Sequence, residues 1–398
     1  MDLMNHGSHV GWSSICDGEE MRRISKKQRQ FDIQRDLRLR RNWKKISKGR
    51  GGAGLSDYCL ERNSWVDKKR KDGLNIEFLG TNKVSVILPE EMNFSTKYEE
   101  TTLVIQSIRR LAEKVRSIKQ YRLAKVDFSN LKKVSTSAGL VLTAELAKWE
   151  DSQSMSLRPL LESWDKEIIR RFYRLGFFDL FDCDIDHKYV EGLGEGTGLS
   201  LVKYIKRNQL GVAQVRDFKE EVTSIVGEDI NKWPILKCGL DEAINNVADH
   251  AYPDGEGFRD KDKNWYLTGG YNKKTAELKI VFYDQGVGIP ASLPASKLGE
   301  KLLDWLSRRH LSHGYKDEHL LKAAVEMHRT RTGQEDRGRG LPDMLEFINE
   351  RGNGYLSIMS GRGLYKYEIV NDDVKIKTQS FDNRVYGTLI IWKTKLAA

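Results

Sequence analysis

Cys238-Gly-Leu-Asp-Glu-Ala-Ile-Asn-Asn-Val-Ala-Asp-His-Ala-Tyr252 decides how the rest of this chain is read. Glu242, Asn246 and His250 recur every fourth residue, so on an α-helix they share one slowly rotating stripe. Leu240, Ile244, Val247 and Ala251 fill another stripe, which gives the helix a face to bury. Pro253-Asp254-Gly255 predicts where it stops. A carboxylate, an amide and an imidazole in one row suit a polar ligand held over a buried helix. The solvated face of an ordinary amphipathic helix has the same row, so its meaning depends on the residues downstream of Gly255.

Three glycine signals lie there. Leu278-Lys-Ile-Val-Phe-Tyr-Asp284 predicts a buried strand that runs straight into Gln285-Gly-Val-Gly-Ile-Pro290. This fixes a carboxylate at a strand end and places after it backbone bare enough for close approach. Arg337-Gly-Arg-Gly-Leu341 then opens a helical run, Pro342 to Ile348. Glycines leading into a helix start leave unpaired N–H groups that favour an anion. Tyr386-Gly-Thr-Leu-Ile-Ile-Trp392 places Gly387 and Thr388 at the start of a hydrophobic strand.

In this order the four elements resemble the GHKL ATPases, the superfamily of DNA gyrase, histidine kinases and anti-sigma-factor serine kinases, with the anti-sigma kinases nearest. The resemblance covers roughly residues 215–395. It implies an ATP site that works with Mg²⁺. Asn246 would bind the metal and Glu242 would be the general base. Asp284 would accept from the adenine amino group. Gly286 and Gly288 would let the nucleotide pack on the backbone, Gly338, Gly340 and Leu341 would close over the phosphates, and Gly387 with Thr388 would complete the base pocket. His250 would orient a phosphate or a partner side chain, or cap the helix end. Arg329, Arg331, Arg337 and Arg339 crowd the implied lid and either meet phosphate or form a solvated basic loop.

The chain has 398 residues, and 39% are hydrophobic, enough for two or three domains with ordinary cores. Its net charge of +10 is concentrated: residues 21–50 hold thirteen Lys or Arg against two Asp. Residues 1–74 are therefore expected to be a basic, partly flexible arm that takes a nucleic acid or another anionic surface, or simply stays solvated. Four scattered cysteines without metal spacing read as reduced thiols of a cytoplasmic protein. No apolar run is long enough to predict a membrane span or a signal peptide.

Residues 75–190 predict a small α/β domain. A strand at Val84–Leu88, a helix over 99–118 and a strand over 121–128 come first. The run Val134 to Leu142 then enters a helix ending near Trp149, Arg158-Pro-Leu-Leu161 reads as a strand, and 163–175 as a helix ending at Gly176. The strand end Asp127-Phe-Ser129, the turn Ser137-Ala-Gly-Leu140 and the late Arg174-Leu-Gly-Phe-Phe178 resemble a STAS domain, the fold of anti-sigma-factor antagonists. That resemblance places a phosphoacceptor at Ser137, although Thr136 stands where the family has Asp; a helix-capping role is the alternative. Glu191 to Leu199 reads as a glycine-rich linker, since no Lys-Ser/Thr comes after it at P-loop spacing.

The expected fold class is thus α/β: the arm, a STAS-like domain, the linker, and a GHKL-type α/β sandwich (Bergerat fold) over 200–398. The expected function is ATP hydrolysis or γ-phosphate transfer to a protein Ser or Thr. The alternative is a nucleotide-gated module with little turnover that controls a protein or nucleic-acid partner. A homodimer is open, and histidine-kinase activity lacks an acceptor-bearing dimerising helix.

Overall fold

Along Glu277–Asp284 the side chains alternate between two buried faces. Ile280 and Phe282 join one hydrophobic core, while Val281 and Tyr283 join another. A strand buried on both faces has no room for a polar alternation, which is why this run reads as almost continuously apolar. The computed structural model describes residues 61–113, 119–153, 160–183, 185, 186, 189, 198–208, 215–254, 256, 258–293, 316–329 and 341–396.

The described chain is mixed α/β. It begins with α1 (Arg62–Lys71), β1 (Ile76–Phe78), β2 (Lys83–Ile87), β3 (Glu91–Met92), α2 (Tyr98–Ala112), β4 (Arg122–Asp127) and β5 (Lys133–Val134). Three helices come next: α3 (Thr136–Gln153), α4 (Lys166–Arg174) and α5 (Phe177–Leu180). β1 and β2 pair antiparallel, β2 and β4 parallel, and β3 pairs with β5 in a separate two-stranded ladder. Asp165 caps α4, its carboxylate accepting from the Glu167 N–H at 2.9 Å. Leu161–Ser163 is a 3₁₀ turn and Leu160 is exposed, so the strand expected from Arg158 does not form over these two leucines. The Ser163 amide and hydroxyl both donate to the Leu160 carbonyl, which closes the turn locally. Arg158 and Pro159 lie outside the described residues.

The second half carries β6 (Leu199–Leu201), β7 (Ile205–Asn208), α6 (Val215–Val226), α7 (Trp233–Asn246), β8 (Asn264–Asn272) and β9 (Glu277–Asp284). It continues with α8 (Ile289–Ser292), α9 (Asp317–Arg329), α10 (Leu341–Arg351), β10 (Gly354–Val370) and β11 (Asp373–Lys395). The strands form one antiparallel sheet in the order β10-β11-β9-β8-β6, with β7 also paired to β8. One face is covered by α6, α7, α9 and α10, through Phe218, Leu240, Leu320 and Met344 among others. The other face is covered by the first half of the chain, whose helices bring Ile108 and Leu146 into the core that holds Tyr266, Val281 and Leu389. Specific bonds fix that seam. The Glu99 carboxylate accepts from the backbone N–H groups of Asp382 and Asn383 at 2.8 and 3.0 Å, and Gln106 Nε2 donates to the Arg384 carbonyl.

β11 extends well beyond the hydrophobic strand that the sequence suggests at Gly387–Trp392, and it pairs along its length with β10. Register shifts around Gly361 and Gly363 absorb the glycines without ending the ladder. The two strands continue as a ribbon to Asn371-Asp372, both at positive φ, the backbone that a tight two-residue hairpin turn requires.

No helix among the described residues is long and apolar enough to cross a membrane. Because one sheet carries both cores, loss of either should melt the same unit. Phe282→Ala, from one core, and Leu389→Ala, from the other, are each expected to cost about 2–5 kcal/mol. In urea both should lower the midpoint of a single shared transition, whereas two separable transitions would show that the halves unfold independently.

Candidate functional site

The site residues sit where α7 and the end of β9 meet. α7 starts after Lys232, at positive φ, with Pro234 in its first turn, where a missing N–H costs nothing. Leu236, Leu240, Ala243 and Ile244 are its buried stripe. Gly239 lets α10 approach closely: a Cβ there would lie 3.2 Å from the Met344 Cα. At the other end of the pair Lys232 Nζ reaches Glu350 at 2.7 Å.

Glu242 and Asn246 lie half-buried one turn apart, and Asn246 Nδ2 donates to Glu242 Oε1 at 3.0 Å. That bond leaves the amide oxygen as the acceptor of Asn246, the kind of hard donor that Mg²⁺ takes. Burial, and then the nearby charges of Asp343 and Asp249, push the Glu242 carboxyl up to about 7, against the bond from Asn246. After Asn246 the helix widens into a π turn, Val247–Ala251, a distortion frequent at functional sites. His250 stands exposed in this turn.

The π turn docks on the glycine turn after β9. Val287 N–H donates to the Ala251 carbonyl at 2.8 Å, and a Cβ at Gly286 would fall 2.3 Å from that oxygen. Gly288, at φ +82°, faces Ser360 Oγ and the Gly387 carbonyl, which a Cβ would meet at 2.6 and 2.9 Å. Gly387, at φ +73°, sits so close to the Asp284 carbonyl that a Cβ would lie 2.0 Å from it. The three glycines are thus demanded first by the chain's own backbone approach, before any ligand is considered.

Asp284 is 3% exposed. Its Oδ1 accepts from the Gly286 N–H at 2.8 Å, and both the hydroxyl and the amide of Thr388, its register partner, also hydrogen-bond to it. Burial raises this carboxyl to about 6, less than it otherwise would, because those bonds and the Arg109 charge favour the ionised form. Ser360, fully buried, ties the corner together. Its Oγ donates to the Gly387 carbonyl at 2.7 Å and accepts from the Ile289 N–H at 3.0 Å.

The structure therefore brings Glu242 and Asn246 together, and Asp284, Gly286, Gly288, Gly387 and Thr388 together, and it joins the two groups through Ala251. Leu341 is buried at the start of α10. Gly338, Gly340, Arg331, Arg337 and Arg339 lie outside the described residues, as does the basic segment 21–50. Arg329 closes α9. Ser137 lies far along the chain, 2% exposed, in the first turn of α3. The capping role falls to Ser135, whose Oγ accepts from the Ala138 N–H at 3.2 Å and contacts Ser137 Oγ. Sequence reasoning missed Ser360 and also Tyr252, whose buried hydroxyl accepts from Gln285 N–H and donates to the Asn264 carbonyl. Tyr252 was open to inference, because a buried tyrosine hydroxyl needs a partner. Ser360 carries no local signal.

No family model, curated protein or solved structure matches this chain.

The Asp284 carboxyl has a stability consequence whose sign is fixed. Folded, it holds its proton up to about pH 6; unfolded, it loses it near 4. Between these values the folded state binds more protons, so this contribution to stability is lost as pH rises. Asp284→Asn removes the penalty. Relative to the wild type the variant should gain about 2–3 kcal/mol between pH 4 and pH 7, read from urea unfolding at each pH. A constant difference would refute the assignment.

Proposed function

We propose that this chain is a Mg²⁺-dependent ATP-binding protein of the GHKL kind, with residues 200–398 as a Bergerat-type sandwich and residues 75–190 as a STAS-like unit. It hydrolyses ATP or passes the γ-phosphate to a Ser or Thr of a protein partner. The observation that carries this is the docking of the α7 end on the Asp284 turn. One contact, between Ala251 and Gly286–Val287, ties a metal-type amide and a base-type carboxylate into a single corner.

In this reading Asp284, ionised at neutral pH, accepts from the adenine amino group. Its remaining acceptor capacity is oriented by Gly286 and Thr388. Asn246 would hold Mg²⁺ through its amide oxygen, and the ion would supply charge neutralisation at the phosphates. Glu242, one turn earlier, takes the proton of the attacking water or hydroxyl. A base titrating near 7 matches the working pH of such a step. The buried Ser137 hydroxyl is a poor acceptor in this conformation.

A nucleotide-gated binding module is the second reading. The packing of the first half of the chain on the sheet directly behind this corner favours it. Phosphate release separates the two. Glu242→Ala is expected to bind ATP–Mg²⁺ with near wild-type affinity by calorimetry, while steady-state release falls about 10²–10⁴-fold. Equal release from variant and wild type would leave only the gated module.

The wild-type kcat/KM, which reports the groups of the free enzyme, should also rise with pH through about 7, as Glu242 loses its proton. A flat profile from pH 6 to 8 would rule Glu242 out as the base.

A further inference from the structure

Gln285, the residue after Asp284, is 1% exposed and is held at three points by three different parts of the chain. Its N–H donates to the Tyr252 hydroxyl at 3.1 Å. Its side-chain Nε2 donates to Glu145 Oε1, on α3, at 2.9 Å. Its carbonyl accepts from Arg109 NH2, on α2, at 3.3 Å. Glu145 also accepts from the Tyr283 hydroxyl at 3.1 Å, on the other side of Asp284.

Arg109 and Glu145 themselves form an ion pair at 3.5 Å, with side chains 9% and 1% exposed. The Arg109 guanidinium lies over the Tyr386 ring, 4.1 Å from its centre. Tyr386 immediately precedes Gly387 and Thr388. One buried arginine from the first half of the chain therefore touches both segments that hold Asp284. It bonds to the backbone just after the carboxylate and stacks on the ring just before the threonine that hydrogen-bonds it.

Taking two charges out of water is costly, and a buried pair seldom stabilises a fold more than apolar residues of the same volume. Packing alone does not require this pair. Its geometry does something that apolar contacts do not: it fixes the direction of a backbone carbonyl and an amide beside the ligand-facing carboxylate.

We infer that Arg109 and Glu145 are positioning residues for base recognition, which makes the α2–α3 layer a working part of the nucleotide site. The inference rests on the nucleotide reading above. It requires that loosening the pair weakens recognition of the base while leaving recognition of the phosphates intact.

The test uses the full chain. Wild type, Asp284→Asn, Arg109→Lys and the double variant Arg109→Met/Glu145→Gln are titrated calorimetrically with ATP, GTP and tripolyphosphate, each with Mg²⁺. Thermal unfolding is recorded without ligand. The double variant removes both charges together, so no unpaired ion stays buried. Arg109→Lys keeps the charge for Glu145 but lacks the planar fork that reaches Gln285 and covers Tyr386; it serves if the double variant does not fold.

The expected result is cooperative unfolding with ATP affinity down about tenfold or more, a matching loss of preference for ATP over GTP, and unchanged affinity for tripolyphosphate. A folded variant with wild-type ATP affinity and preference overturns the inference, and so does equal weakening toward ATP and tripolyphosphate. Failure of the underlying reading looks different. Then the wild type binds no ATP, or Asp284→Asn keeps the full preference for ATP over GTP, and the positioning role falls with it.

Discussion

A carboxylate buried at a strand end is the constraint on which this architecture turns. Asp284 cannot stay ionised in the interior unless donors surround it, and an uncompensated charge there would be worth several kcal/mol against folding. The donors come from backbone that has to approach very closely: the Gly286 amide two residues on, and Thr388 on the neighbouring strand. Close approach in turn dictates glycine at 286, 288 and 387, because Ala251, Ser360 and the Asp284 carbonyl already fill the space that side chains would need. The helix end meets the end of this interior strand through a separate bond, from the Val287 N–H to the Ala251 carbonyl.

The sheet supplies the rigidity that such a corner needs. With both faces covered, β9 is held by interdigitating side chains above and below, and its terminal residue inherits that fixity. Helices α7 and α10 pack through Gly239 against Met344 on one side, which brings Asp343 into the electrostatic surroundings of Glu242. On the other side α2 and α3 deliver a charged pair to Gln285. The same antiparallel ladder thus has a helix layer with the half-buried Glu242 carboxyl on one face and a helix layer with the Arg109–Glu145 ion pair on the other.

Much of this was legible in the residues. The buried stripe of α7, the strand ending at Asp284 and the helical run from Pro342 are encoded in periodicity and flanking turn residues. The ends of β10 and β11 were not. Gly361 and Gly363 look like breakers, and the alternation of Lys, Tyr, Glu and Ile beyond them is the weaker signal of a ribbon with one wet face. Asn371-Asp372, with hydrophobic and charged residues alternating on both sides, was the available clue. The contact of Arg109 and Glu145 with Gln285 spans 176 and 140 residues of chain, and no local pattern encodes a pairing of that range. Leu160 and Leu161 misled for a different reason: two apolar residues after a proline resemble a strand, yet the chain turns at once into Leu161–Ser163, with Leu161 packed against the core and Leu160 exposed.

The ribbon formed by β10 and β11 also bears on how the molecule keeps to itself. β10 is the outermost strand of its sheet, and near the hairpin tip Val370, Val374 and Ile376 are exposed. A long apolar border with unpaired backbone groups invites a foreign strand to add on. Here Lys366 stands directly across from Lys377, and Glu368 across from Lys375, so the ribbon is studded with charge along the stretch that would otherwise be most adhesive. Like charges placed opposite one another weaken the hairpin slightly. In return, any approaching strand would have to strip water from ammonium groups before it could pair, and that barrier guards the border against fibril-like stacking.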